Sequence, residues 1–311
     1  MRVFLTGMMR SGTTLLQRAL DMHSDVSISY QSSTQDFLKC IKGFHQSLNL
    51  DKYHLLSHYS GNSEYTLKEL NHWLLLNSSV DSFMPESEDS KVCGVKEVLA
   101  EEFIPFFIKN GIKCILIVRD PRDVIASMSF GNGAEYTGKE RPVLFDLRNW
   151  RKSVLIGEVF KNDPNLMVLR MEDLLIHPES VLESIYSFLD IDSLSYESLV
   201  EQMNLSSWKG NSSFGEKKAF DTSAIGNYKK VLPSTVIEYI ETVCKKEMEL
   251  MKYDTSTSSS NEVIIHTYVE PFKVDRKEFE SNYSSSSENV EYEVRRLNSS
   301  IESIIKDELG F

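Results

Sequence analysis

Short apolar runs alternate with helical stripes along this chain, and that alternation predicts an α/β fold. Val3 to Thr6 is a short apolar run ending at Gly7, and helical periodicity follows at once, with Leu15, Leu16, Ala19, Leu20 and Met22 on one face. The order is strand, tight loop, helix. His23-Ser24-Asp25 closes the helix, and Val26 to Tyr30 alternates as a second strand. Val92 to Val95 and Lys113 to Val118 predict two more strands, separated by a helical stretch from Leu99 to Lys109. The run Lys113 to Val118 is almost continuously apolar, as expected of a central parallel strand buried on both faces. Leu166 to Arg170 is a fifth strand, followed by a helix near Glu179 to Leu189 with Pro178 at its start. A long amphipathic helix from Ser234 to Met251 would close the core. Such alternation implies a mainly parallel sheet covered by helices on both faces.

Residues 32–90 are mostly helical in pattern, with Phe37, Leu38, Ile41 and Phe44, then Leu67, Leu70, Trp73, Leu74 and Leu75, interrupted at Ser60-Gly61-Asn62 and at Glu86 to Ser90. Past Tyr253 the composition changes. Thr255 to Asn261 is rich in Ser and Thr, and Ser284 to Ser287 is a serine run, so linkers are expected there. Val294, Leu297, Ile301 and Ile304 then recover a 3–4 spacing. A helix packed on its own domain is favoured over a dimerising coil, because two heptads are marginal alone. The chain therefore divides into a domain over 1–253 and an extension over 254–311, acting as a monomer or homodimer.

At 311 residues the chain suits one large domain with an appendage. The formal net charge of −12 argues against a broad nucleic-acid surface, although a few cations in a cleft can still hold a local anion. Cys40, Cys93, Cys114 and Cys244 show neither CxxC nor zinc-ligand spacing, so neither a disulfide nor a metal site is expected. No apolar stretch reaches membrane-spanning length, and Arg10 interrupts the N-terminal apolar run. A reduced, cytoplasmic protein is expected.

The loop Gly7-Met8-Met9-Arg10-Ser11-Gly12-Thr13-Thr14 sits between the first strand and the first helix. Its glycines permit a tight turn whose backbone amides, together with the helix N-terminus, point at an anion. Against the P-loop pattern G-x-x-x-x-G-K-[ST], Gly7, Gly12 and Thr14 are in register, but Thr13 replaces the lysine and a cation stands earlier, at Arg10. That suits a 5′-phosphosulfate better than nucleotide hydrolysis. Arg119 ends a buried strand, where ligands of open α/β sheets bind, and Ser127 follows two helical turns later. Asp120 is a good N-cap there, Pro121 fits the first helical position, and Asp123 is placed for a capping box, whereas Arg122 reads as a solvated helix residue. An Arg and a Ser converging on one strand end can hold a second phosphate. Two anion sites suggest one nucleoside substituted at its 5′ and 3′ positions.

These residues resemble the family of sulfotransferases that use 3′-phosphoadenosine-5′-phosphosulfate (PAPS). Arg10-Ser11-Gly12-Thr13-Thr14-Leu15-Leu16 is similar to that family's 5′-phosphosulfate loop in the form found in bacterial and tyrosylprotein enzymes, and Val118 to Met128 is similar to its 3′-phosphate segment. Weaker similarity covers Leu20 to Val26, Met171-Glu172-Asp173-Leu174, and Phe220 to Tyr228, a region that helps cover the nucleotide in the family. The resemblance implies a P-loop-type α/β fold, PAPS as donor and adenosine 3′,5′-bisphosphate as product. It implies cofactor contacts from Arg10, Ser11, Gly12, Thr13, Thr14, Leu15, Arg119 and Ser127, and a mostly helical acceptor lid from 32–90 and 131–150.

The chain departs from the family on the acceptor side. Lys96-Glu97-Val98 stands where animal cytosolic enzymes carry Lys-Thr-His, and Gln31 where tyrosylprotein-type enzymes carry a Glu. Asp221-Thr222-Ser223 replaces an Arg-Lys-Gly, leaving the hydroxyls of Thr222 and Ser223, with Lys217 or Lys218 nearby, as donors to the 3′-phosphate. Arg10 is expected to neutralise charge on the transferred group. Glu97, beside Lys96, is the first candidate base and Asp36 the second, while His23, His45, His54, His58 and His72 read as structural. Tyr30, Phe37, Phe44, Tyr136, Phe145 and Trp150 can line an apolar acceptor pocket or pack the core. A small-molecule metabolite is the expected acceptor, with neither nucleic acid nor membrane as partner. A small-molecule kinase and a catalytically silent nucleotide-binding scaffold are the rival readings, the first weakened by Thr13 and the second kept open by the missing His and Glu.

Overall fold

Each apolar run read as a strand forms one. The computed structural model describes residues 1–50, 65–84, 90–130, 141–205, 219–256, 261–272 and 286–311. In it β1 (Arg2–Thr6), β2 (Val26–Tyr30), β3 (Val92–Lys96), β4 (Lys113–Val118) and β5 (Leu166–Arg170) assemble in the order β2-β3-β1-β4-β5. Every pairing is parallel, with Phe4 opposite Val95 on one side and Cys114 on the other. The chain leaves β1 toward one edge and, after β3, crosses to the far side of β1. The carboxyl ends of β3, β1 and β4 therefore lie side by side at the switch point, where open α/β sheets bind ligands.

The helices are α1 (Thr13–Asp21), α2 (Thr34–Ser47), α3 (Leu67–Asn77), α4 (Ile104–Lys109), α5 (Pro121–Ser129), α6 (Val143–Phe160), α7 (Met171–Ile176), α8 (Pro178–Phe188), α9 (Tyr196–Leu205), α10 (Tyr228–Val231), α11 (Ser234–Val243), α12 (Lys245–Leu250), α13 (Glu262–Thr267), α14 (Ser287–Asn298) and α15 (Ile301–Leu309). Strand residues alternate faces, so Val3, Leu5, Ile115 and Ile117 pack under α1, α7, α8 and α9. Phe4, Cys114, Leu116 and Val118 face the opposite core, with α2 to α6 and α11. There Phe37 of α2 stacks on Phe4 at 5.7 Å and meets Phe103 edge-on at 4.6 Å, which locks α2 to the sheet.

Four local expectations are corrected. Leu99 takes a left-handed backbone (φ 56), so the stretch to Lys109 opens with a 3-10 turn over Glu101–Phe103 before α4. The helix expected from Ser234 to Met251 breaks at buried Cys244, where φ −108 and ψ 9 leave the helical region. The final amphipathic stretch is two helices, because Ser300 interrupts it and caps α15 by accepting from the Ser303 amide. Arg122 is buried rather than solvated, bonded to Asp120 and Glu241 and lying over the Tyr228 ring at 4.3 Å. Residues of α13 and α15, including Ile264, Ile265, Ile304 and Leu309, pack into the same core as α6 and α11. Among the described residues no helix is long and apolar enough to cross a membrane. His54, His58, Tyr136, Lys217 and Lys218 lie outside the described residues.

Candidate active site

Sterics explain the glycines of the loop after β1. A Cβ on Gly7 would fall 2.3 Å from the Ile117 carbonyl oxygen of β4, so only glycine lets the strand turn there. Gly12 (φ 90) is the N-cap of α1, in the left-handed region that glycine adopts without penalty. No side chain caps this helix, which leaves the amides of Thr13, Thr14 and Leu15 for an anion. Thr13 is buried, whereas Thr14 and Leu15 are half-buried. The Ser11 hydroxyl is fully buried and has no hydrogen-bond partner, the condition of a polar group built for a ligand.

Arg10 also adopts a left-handed backbone, φ 65, which costs a non-glycine residue roughly 1–2 kcal/mol. Its carbonyl is held by Arg119 Nη1 at 3.0 Å, and its own Nε donates to Ser127 Oγ at 3.0 Å. The three residues that the sequence assigns to separate anion sites thus form one hydrogen-bonded group across the ends of β1 and β4. Arg119 Nη2 donates to the Ala224 carbonyl at 2.7 Å, which brings in the turn over Thr222–Ala224. Thr222 and Ser223 stand exposed on that turn.

Two contacts fix the Arg119–Asp120 peptide group. Trp150 Nε1 donates to the Arg119 carbonyl at 2.7 Å, and the Asp120 amide donates to Glu172 Oε1 at 2.9 Å. Glu172 also accepts from the Tyr253 hydroxyl at 2.9 Å, and burial pushes its carboxyl up from the usual carboxylate range. Asp123 does not serve the capping box assigned to it. Asp120 alone caps α5, through the Arg122 amide, while Asp123 accepts from the amides of Gly226 at 2.7 Å and Tyr228 at 2.9 Å. Burial raises the Asp123 carboxyl, opposed first by Arg119. Asp123 and Arg119 together therefore tether the segment 219–228 over the strand ends.

On the acceptor side, the Leu99 amide donates to the Gly7 carbonyl, so the turn after β3 abuts the anion loop. Lys96 is almost entirely buried with its ammonium 3.9 Å over the Tyr30 ring, and it has no hydrogen-bond partner among the described residues. Desolvation lowers its pKa to about 8, against the pull of Glu97. Glu97 is buried. Its carboxylate accepts from the Ser33 amide at 3.1 Å and the Thr34 hydroxyl at 2.7 Å, and burial raises its pKa against those two contacts and Lys96. Asp36 lies apart, in the first turn of α2, in a solvent-facing ion pair with Lys39 at 3.2 Å. His23 bonds the Asp192 carbonyl and His45 the Tyr65 hydroxyl, both structural contacts. Phe37, Phe44, Phe145 and Trp150 belong to the core, and of the described aromatics named as pocket candidates only Tyr30 is exposed.

The sulfotransferase domain family matches residues 1–252. The chain belongs to that family. Its sheet is similar to that of the sulfotransferase domain of an olefin synthase from Synechococcus PCC 7002, at 19% identity and a TM-score of 0.50, covering 81% of this chain and 94% of that one. A mouse sulfotransferase, SULT7A1, solved with adenosine 3′,5′-bisphosphate (PAP), aligns at 16% identity and a TM-score of 0.48, over 80% of this chain and 84% of that one. No curated protein sequence matches the chain. Sulfonate transfer is the activity of the family. The sequence does not announce the bond of Glu172, within the weakly similar Met171–Leu174 segment, or that of Trp150, which reads there as pocket lining or core.

Proposed function

We infer that the protein transfers the sulfonate of PAPS to a hydroxyl or amine of a small-molecule acceptor. The observation that carries this reading is the junction of Arg10, Arg119 and Ser127 at neighbouring strand ends, two cations and a hydroxyl linked by 3.0 Å hydrogen bonds. PAPS supplies an activated sulfonate, whose sulfur bonds to the acceptor as its bond to the 5′-phosphate oxygen breaks. The orphaned Ser11 hydroxyl and the uncapped amides from Gly12 to Leu15 hold the 5′ end, with Arg10 neutralising charge there. Arg119 and Ser127 hold the 3′-phosphate, helped by the exposed hydroxyls of Thr222 and Ser223.

Glu97 takes the acceptor proton in this reading, and Lys96 adds positive charge beside it. Burial of both groups, and the contact between the Leu99 amide and Gly7, support placing them next to the loop. Asp36, paired with Lys39, is the weaker base. Four cysteines that form no disulfide accord with a reducing, cytoplasmic setting. Transfer of label from PAPS to a panel of phenols, alcohols and amines, with calorimetry of PAP binding, tests the reading. Arg10→Ala and Arg119→Ala should each weaken PAP binding by about tenfold or more, roughly 1.4 kcal/mol. Tight ATP–Mg²⁺ binding with no affinity for PAP would favour the kinase reading instead, and PAP binding without any transfer would favour the silent scaffold.

A further inference from the structure

The family match ends at residue 252, yet the chain beyond it reaches into the supports of the nucleotide site. Helix α6 carries Arg148 and Arg151, both fully buried, on either side of Trp150. Their shared counterion comes from α14. Glu293 Oε1 accepts from Arg148 Nε at 2.9 Å and Arg151 Nη2 at 3.1 Å, and Glu293 Oε2 accepts from Arg151 Nη1 at 2.5 Å. A second carboxylate from the same region, Glu270, accepts from the Val143 amide at 2.8 Å and so caps the start of α6. Burial alone would push the Glu293 carboxyl up, but Arg151 and Arg148 hold it down at about 2, so it stays ionised throughout the working range.

We propose that Glu293 is a positioning residue for the nucleotide site: it fixes α6 by neutralising Arg148 and Arg151, and α6 in turn fixes Arg119 through the bond from Trp150 to the Arg119 carbonyl. The inference rests on the reading of Arg119 as a 3′-phosphate ligand. Its physical basis is that a buried cation deprived of its counterion is strongly unfavourable, so α6 must shift to hydrate Arg148 and Arg151 when Glu293 is lost. Trp150 lies between them on one helical turn and moves with them. The Arg119 carbonyl then loses its 2.7 Å donor, and the peptide whose other side is held by Glu172 is free to rotate.

The test is calorimetric affinity for PAP, with melting temperature recorded in parallel, on full-length wild type, Glu293→Gln, Glu293→Asp, Trp150→Phe and the double variant Glu293→Gln/Trp150→Phe. Glu293→Gln should weaken PAP binding by about tenfold, Glu293→Asp by less, and Trp150→Phe by an amount similar to Glu293→Gln. In the double variant the Glu293→Gln effect should largely vanish, because the link it acts through is already cut. A merely structural role for Glu293 predicts lower melting temperatures with unchanged affinity, or effects that add in full, and either result overturns the proposal. If the Glu293 variants do not fold, Trp150→Phe, which keeps all three charges, reads the last link alone, and unchanged affinity there also overturns it. A wild type without affinity for PAP refutes the donor reading itself, and this inference with it.

Discussion

Asp123 offers the sharpest check on whether the segment 219–228 covers the nucleotide. Its two carboxylate oxygens accept from the amides of Gly226 and Tyr228, and the side chain is almost fully buried. Hydrogen bonds to a charged group contribute about 1.5–3 kcal/mol each, so removing both releases roughly 3–6 kcal/mol of local tethering. Water reaching the freed amides returns part of that. What remains is the Arg119 bond to the Ala224 carbonyl, from a guanidinium that the donor reading also assigns to the 3′-phosphate, and the packing of Phe220 in the core and of the Tyr228 ring under Arg122. Asp123→Ala should therefore let the segment 219–228 open, and PAP binding should weaken by about 10–100-fold, the equivalent of roughly 1.4–2.8 kcal/mol. Asp123→Asn keeps one acceptor but turns an NH₂ toward the second amide, so it should lie between. Calorimetry of PAP binding, with hydrogen exchange at Gly226 and Tyr228, measures both parts of the effect. Unchanged exchange at those two amides in Asp123→Ala would refute the tether, and faster exchange with unchanged affinity would refute its role over the nucleotide.

Two further outcomes are expected. Glu97→Gln, nearly isosteric and still able to accept from Ser33 or Thr34, should lower kcat by roughly 10²–10⁴ while PAP affinity holds; a fall in melting temperature with kcat intact would instead make Glu97 only the anchor of α2. Asp146 is fully buried, neither oxygen has a hydrogen-bond partner, and Arg141 Nε lies 3.8 Å away, so burial raises its carboxyl to about 6 against that arginine. A folded pKa above the unfolded one means the folded state binds more protons, so this group's contribution falls as pH rises from about 4 to about 6 and is level above. Asp146→Asn should stabilise the protein by up to roughly 3 kcal/mol at pH 8 and by progressively less below pH 6, and thermal melts showing the opposite trend would sink the argument.

The strands were legible because β-structure writes itself locally. Lys113 to Val118 is apolar at nearly every position, and its alternate residues go to two separate cores, as a strand covered on both faces requires. The anion loop was legible for a related reason, since Gly7 and Gly12 answer to backbone conformations and close approaches that few other residues tolerate. The breaks at Leu99 and Cys244 were not, because apolar periodicity continues through both while the backbone does not. Trp150, Glu172 and Asp123 escaped for another reason. Each acts on a segment remote in sequence, Trp150 across 31 positions, Glu172 across 52 and Asp123 across 103 and 105, so nothing near them announces the partner. Arg122, Arg148 and Arg151 look like solvated helix charges until their carboxylates arrive from elsewhere in the chain.

The junction of Arg10 and Arg119 bears on how strongly the nucleotide should hold the protein together. The guanidinium groups of Arg10 and Arg119 are both brought to the loop after β1, where neutral acceptors orient them and the Asp123 carboxylate also acts on Arg119. Arg119 donates to the carbonyls of Arg10 and Ala224, and Arg10 donates to the Ser127 hydroxyl. The cations are thus held in place, and in the donor reading a bisphosphorylated ligand would add charge-assisted bonds to them at both of its ends. The same ligand would bridge the loop after β1, the end of β4 and the segment 219–228, the last of which no strand pairing joins to the other two. Ligand binding to the folded state alone stabilises it in proportion to the logarithm of concentration over Kd, so in the donor reading the nucleotide would act as a structural cross-link as well as a reactant.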